Sequence, residues 1–232
     1  MVSPAQVKRF LAPLRERHPE FIYRHRQFFC RVGAHLAWGF YLDGTSAPGC
    51  LRPKPMLKSL FLGESQDDMG ACRFDHMFRR DRSKDLYYRW LEPESHTDFA
   101  DAFEVEALPI LHSIVTLEDY ARRANFPENT RRSPIKITGW YPLGIALGRL
   151  DWVHENLDVI ESGAALAELP DVPQRAQARA YFKRVMEFAP LVRADDRAGM
   201  IALLHELLRD DIRRFELEPY WKPEPLPIEM TT

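Results

Sequence analysis

Eight histidines and a scatter of carboxylates supply the residue types of metal and acid–base chemistry, so their spacing is the first question. His154 and Glu155 are followed by Asp158, which places a His and an Asp one helical turn apart. Such a pair can start a metal site, but a His-Glu-x-x-His pattern is absent and no third ligand suggests itself. His205 and Glu206 with Asp210 fit less well, and both groups read as exposed helix faces. Glu92, Glu94, His96 and Asp98 alternate with other residues just before a helix. Paired carboxylates beside a His can move protons, yet acidic groups also favour the positive end of a helix dipole, and capping is the simpler reading. Cys72, Asp75 and His76 contain a thiol and a base, but their separation does not bring the two together. Gly-x-Ser-x-Gly, Gly-x-x-x-x-Gly-Lys and Gly-x-Gly-x-x-Gly motifs are all absent. The sequence therefore nominates no catalytic residue, no metal ligand and no cofactor.

Binding candidates are of three kinds. Tyr41 and Asp43 alternate with Trp38 and Phe40, so on a strand they face the other way; a tyrosine exposed there suits a protein interface, and one under helices covering both faces is core. Arg79 and Arg80 lie in a run that mixes Arg73, Arg82 and Lys84 with Asp75, Asp81 and Asp85, the composition of a solvated loop. Trp90, with Tyr87 and Tyr88, is placed to anchor it. Arg131 and Arg132, with Arg122, Arg123 and Lys136, form a local basic cluster that can meet nucleic acid or an acidic protein. The formal net charge of −2 and pI near 6.5 give no global push toward nucleic acid.

The 232 residues, 45% hydrophobic and 12% aromatic, are enough for a substantial core in one large domain or two small ones. No apolar run approaches the about 20 residues that cross a bilayer, and the first residues lack the pattern of a secretion signal. The three cysteines, Cys30, Cys50 and Cys72, are an odd count without a Cys-x-x-Cys pair, which suits free thiols in a reducing cytoplasm.

Three strand-like runs organise the first half: Phe28 to Val32, His35 to Asp43, and Met56 to Leu62. In the middle run Leu36, Trp38, Phe40 and Leu42 occupy every second position, the period of a strand with one buried face. Gly33-Ala34 fits a hairpin turn, and Phe21-Ile22-Tyr23 a short flanking strand. Pro53 and Pro55 mark the start of the third run as a sheet edge. Before the sheet, Ser3, Pro4 and Gln6 cap a helix with an apolar stripe of Val7, Phe10, Leu11 and Leu14. After it, Ser95 or Thr97 caps a helix whose stripe is Phe99, Ala102, Phe103 and Val105, with Pro109 expected to kink or divide it. Thr116 to Asp119 reads as the cap of a further helix. Residues 126 to 133 are the linker candidate. Beyond them Trp140 to Leu147, then Trp152 to Ile160, then Tyr181 to Phe188 read as helices. A fourth, capped by Asp195, carries Met200, Leu203, Leu204, Leu207, Leu208 and Ile212. Gly144, Ala146, Gly148 and Trp152 have a weak tetratricopeptide look without a second copy. The tail from Pro219 is Pro-rich and reads as extended.

The runs Gln27-Phe-Phe-Cys-Arg-Val, Gly39-Phe-Tyr-Leu-Asp, Leu108-Pro-Ile-Leu and Thr116-Leu-Glu-Asp-Tyr120 together resemble small bacterial domains of uncharacterised function, some of which accompany toxins as immunity proteins. The likeness covers about half the chain and transfers no site residue. The expected fold is α+β: residues 1–125 as an N-terminal antiparallel sheet with packing helices, 134–218 as a C-terminal antiparallel helical bundle, and 219–232 as a tail. The expected function is a non-enzymatic, cytoplasmic protein-binding module with a protein partner. Two alternatives stay open: a small-molecule enzyme using Glu94, His96 or His76 between sheet and bundle, and a nucleic-acid accessory protein using residues 122 to 136.

Overall fold

The computed structural model describes residues 4–24, 27–44, 49–61, 88–130, 133–169 and 176–230. Ser3, residues 62–87, and Pro170 and Pro173 fall outside the described residues. The fold is α+β, with an antiparallel sheet in the N-terminal half and helices elsewhere. The chain divides into two compact units. The first holds the described residues up to Val32, then Ala37–Leu57 and those from 88 to Val115. The second holds Gly33–Leu36, those from Lys58, and Thr116 onward.

Five strands lie in sequence order: β1 (Ile22–Arg24), β2 (Gln27–Val32), β3 (Leu36–Gly44), β4 (Cys50–Ser59) and β5 (Tyr88–Arg89). The two expected hairpin partners β2 and β3 pair antiparallel, with Phe28 opposite Phe40 and Arg31 opposite Trp38. Between Phe29 and Arg31 the register slips at Cys30, a β-bulge. The Cys30 thiol donates to the Trp38 carbonyl across it at 3.3 Å. β4 starts six residues before the expected Met56 and contains Pro53 and Pro55. It tolerates them because β5 pairs only with Cys50 and Leu51, so neither proline stands opposite β5.

In the first unit, α1 (Pro4–Phe10), α2 (Ala12–Arg17) and α3 (Pro93–Ala102) cover the Trp38 face of the sheet. Leu36, Trp38, Phe40 and Leu42 are buried, as the alternation requires. Ala37 and Gly39 are buried too, so the opposite face is also covered around the middle of β3 and is not a polar face there. The rings mesh in a continuous cluster. Phe28 stacks on Phe40 at 4.8 Å, Phe40 meets Phe99 at 5.2 Å and Phe103 at 4.9 Å, and Phe10 stacks on Phe99 at 5.3 Å. The Trp38 indole N–H donates to the Ile114 carbonyl at 2.7 Å, so the polar edge of the largest buried side chain is satisfied.

α3 begins at Pro93 with Glu92 before it, not at Ser95 or Thr97. Ser95 is buried inside its first turns, accepting from the Arg89 N–H and donating to Glu92. The helix then widens into a π-helical turn, Phe103–Ala107, closed by Leu108 N–H to the Phe103 carbonyl, before α4 (Leu108–Ser113). Pro109 supplies the cause: it cannot donate to the Val105 carbonyl, and its ring clashes with it. Phe103, Ala107, Leu111 and Ile114 are buried, while Val105, expected on the apolar stripe, lies two positions after Phe103, about 200° round the helix, and faces solvent.

The second unit is helical apart from the strand ends it shares. α5 (Leu117–Arg123) opens with the expected cap at Thr116, a full capping box with Asp119. Residues from Phe126 do not begin a linker: Phe126 is buried and stacks on Trp140 at 5.7 Å. α6 (Pro134–Ala146) starts earlier than Trp140 and is buried on all sides from Ile137 to Ala146, the pattern of a central helix. Around it pack α7 (Leu150–Glu155), α8 (Leu157–Ser162), α9 (Ala164–Glu168), α10 (Ala176–Met186) and α12 (Arg197–Arg214). α11 (Phe188–Arg193) separates the last two, so Tyr181 to Phe188 is not one helix. At Gly144 an added Cβ would lie 2.7 Å from the Trp152 ring, so the glycine is what lets that indole in. Asp196, not Asp195, caps α12 by accepting from Gly199 N–H at 2.9 Å; Asp195 sits in the left-handed region instead.

The C-terminal tail is bound. Trp221 donates its indole N–H to the Ala34 carbonyl at 2.8 Å, His35 hydrogen-bonds the Glu224 carbonyl, and Leu226 is buried. It ends in α13 (Pro227–Met230), where Glu229 meets His205 at 3.1 Å and accepts from the Leu226 N–H.

Gly39 is the sharpest local constraint, since a Cβ there would lie 1.6 Å from the Phe28 carbonyl oxygen. Gly39→Ala is expected to cost about 3 kcal/mol or more, read as a lowered denaturant midpoint; an unchanged midpoint would contradict this packing of β2 on β3. Burial lowers the pKa of His35 against the pull of the Glu224 carbonyl. For Glu229, burial works upward but is outweighed by the Leu226 N–H and His205, and the net shift is downward. Both groups bind fewer protons folded than unfolded, so their contribution is present at neutral pH. His35 begins to lose it as pH falls below its ordinary value of about 6.5, and Glu229 loses it further into acid. Amide-exchange protection over 217–230 should therefore fall between pH 7 and pH 4 while α6 stays protected.

Candidate interaction surfaces

The residues nominated for chemistry are occupied structurally. His96 is buried, donates Nε2–H to the Trp90 carbonyl at 2.8 Å, and meets Phe10 edge-to-face at 5.2 Å. Glu94 is exposed beside it, so the two do not converge on a cavity. His18 stacks on Phe21 and bonds Glu104 at 2.9 Å, and His205 is engaged with the tail. His154 and Asp158 are exposed and lie on different helices, because the chain breaks at Asn156 between α7 and α8. No group of three or more metal-ligating side chains exists among the described residues. Cys72, Asp75 and His76 lie outside them. Cys30 and Cys50 are free thiols. Burial pushes the Cys30 thiol up to about 12, against the small lowering effects of its backbone hydrogen bond and Arg31.

Of the nominated binding residues, Arg79, Arg80, Arg131 and Arg132 fall outside the described residues. Tyr41 and Asp43 belong to the backbone of β3, with Tyr41 opposite Gln27. Trp90 is half-buried in the turn after β5, its N–H donating to the Gly49 carbonyl at 3.2 Å. The structure does not unite these residues in one described site.

Two other arrangements emerge. In the second unit, Gln177, Ala180, Tyr181 and Arg184 on α10 face Leu207, Asp210, Asp211 and Arg214 on α12 across a cleft of about 230 Å³ floored by Phe61. Each set repeats at helical offsets of three, four and seven. Gln177 with Arg214 and Arg184 with Glu206 bridge its two ends, so the helices run antiparallel. Tyr181 donates to the Gly139 carbonyl at 3.3 Å, and burial followed by the Asp211 charge raises its pKa well above the ordinary value. A phenol held protonated in this way donates a hydrogen bond and cannot act as a base near neutral pH.

In the first unit, the stretch from Leu91 to Val115 carries a surface of a different kind. Leu91 is 67% exposed, Val105 63%, Val115 51% and Ile110 36%, and Pro109 is exposed between them. Val105 lies in the widened turn and Ile110 five positions on, in α4. The same stretch holds Glu94, Asp98, Asp101, Glu104 and Glu106, with no Lys or Arg from Pro93 to Ser113. Arg17 bridges Asp101 at 2.6 Å and Glu104 at 3.0 Å, which raises the Arg17 pKa, chiefly through the Asp101 hydrogen bond. The acidic run was visible as a charge pattern. The exposure of Ile110 was not, because a regular α-helical period sets it seven residues after the buried Phe103, on the same face.

No helix among the described residues is long and apolar enough to cross a membrane. No family model, curated protein or solved structure matches the chain.

In the native protein at pH 8, Cys30 should escape alkylation over a time in which unfolded protein is fully modified, as peptide mass spectrometry would show. Rapid native labelling of Cys30 would contradict the burial of the bulge.

Proposed function

We propose that this chain is a non-enzymatic, intracellular protein-binding module of the toxin-neutralising or adaptor kind, and that its contact surface is the apolar and acidic face of residues 105–115. The observation that carries this reading is the group of aliphatic side chains, Val105, Ile110 and Val115, left in solvent on a helical layer whose other face is a closed aromatic core. Single exposed apolar residues are ordinary, but these recur over eleven residues, from the widened turn through α4 to the segment just after it, with Pro109 among them and carboxylates nearby in sequence. Their chemistry fits a protein that presents aliphatic or aromatic anchors inside a basic rim. The free Cys30 and Cys50 thiols fit a reducing compartment, and the structural engagement of His18, His96 and His205 leaves them poorly suited to catalysis.

The test is affinity capture followed by titration with the purified captured partner. Val105→Arg with Ile110→Arg should weaken binding by at least about tenfold with little change in Tm, while Lys183→Glu on α10 should leave it unchanged. Equal affinity for wild type and the double variant would refute this contact surface.

A further inference from the structure

A second surface of opposite charge lies on the N-terminal helices. Ala5, Lys8, Arg9, Ala12, Arg15, Glu16 and Pro19 line an open groove of about 600 Å³ along α1 and α2. The stripe is the complement of the buried one: Val7, Phe10, Leu11 and Leu14 face the core, and these residues face out. Lys8, Arg9 and Arg15 are exposed, and none forms an ion pair among the described residues. Their near neighbour Arg17, by contrast, is held by Asp101 and Glu104. The small side chains of Ala5 and Ala12 keep the groove shallow-walled and open between the cations.

We propose that this groove docks an acidic segment of a partner protein. Lys8 near the end of α1 and Arg15 in α2 line the same groove, and carboxylates spaced along a partner segment can meet both. A nucleic-acid backbone fits less well. It presents a charge at every residue and gains affinity from more phosphate contacts than three cations supply. The alanines and Pro19 offer apolar contact between the charges, which a peptide side chain uses and a phosphate does not. The groove lining shares no residue with the Val105 and Ile110 face, so the two surfaces can be changed by different substitutions.

The probe is a fluorescein-labelled peptide of repeated Glu-Ala-Ala-Glu, titrated with the full chain at low salt and followed by anisotropy. A single-stranded oligonucleotide of matched charge serves as the second probe, and light scattering monitors self-association. Lys8→Glu with Arg9→Glu and Arg15→Glu is compared with Lys222→Glu, Lys183→Glu and Arg209→Glu, which change the net charge equally. The groove variant should bind the peptide about tenfold more weakly or worse. The control triple, and Val105→Arg with Ile110→Arg, should stay within about twofold of wild type, and added salt should weaken the wild-type complex. Equal losses in the groove and control triples would overturn the proposal, as would no peptide binding by wild type. Preferential binding of the oligonucleotide would overturn it in favour of nucleic acid, and a wild-type dimer abolished by the groove substitutions would put a second copy there instead.

Discussion

The ring contact between Phe40 and the pair Phe99 and Phe103 is the constraint on which the first unit depends. Phe40 sits between Phe28 on one side and both helical phenylalanines on the other, at 4.8 to 5.2 Å. Sheet and helix share no backbone hydrogen-bond ladder, so the apolar area of these rings is what holds the layers together, with Trp38 donating to Ile114 as the polar tie. Two local devices make the contact possible. Gly39 lets the β2 backbone close on β3, and the bulge at Cys30 resets the register so that Arg31, not Cys30, faces Trp38.

The same contact fixes what the unit shows to solvent. With Phe99 and Phe103 committed to the core, the direction of every later side chain depends on the helical period. Pro109 forces one wide turn; Ala107, Leu111 and Ile114 stay inside, Val105 lies about 200° round from Phe103 and faces solvent, and Ile110, which a regular period would set on the buried face, is partly exposed. The proposed binding face is thus a consequence of core packing combined with one proline, in a stretch whose carboxylates set the sign of the charge a partner must bring.

Much of this was legible in the residues. Alternation around Trp38 and Phe40 gave β3, the apolar stripe of Val7, Phe10, Leu11 and Leu14 gave the N-terminal helices, and Thr116 with Asp119 gave the start of α5, because each is a local pattern with a local cause. Three things were not legible. The π-turn requires knowing that Pro109 is continued as helix instead of ending one. The burial of Ala37 and Gly39 depends on what covers the second face, which strand period does not reveal. The tail looks loose by its prolines, yet Trp221, His35 and Glu229 tie it down through partners more than twenty residues away in sequence, and in two cases nearly the length of the chain away. The α10–α12 cleft escaped for the same reason, since neither stripe means anything until the other faces it.

The central claim, that the exposed side of the helical layer is the working surface, is tested most directly by hydrogen exchange on the protein with and without its captured partner. The account predicts new protection concentrated in 104–115, with α10 and α12 exchanging as in the free protein. Protection confined to 177–184 and 207–214, with 104–115 unchanged, would contradict it and move the function to the cleft lined by Tyr181 and Asp211.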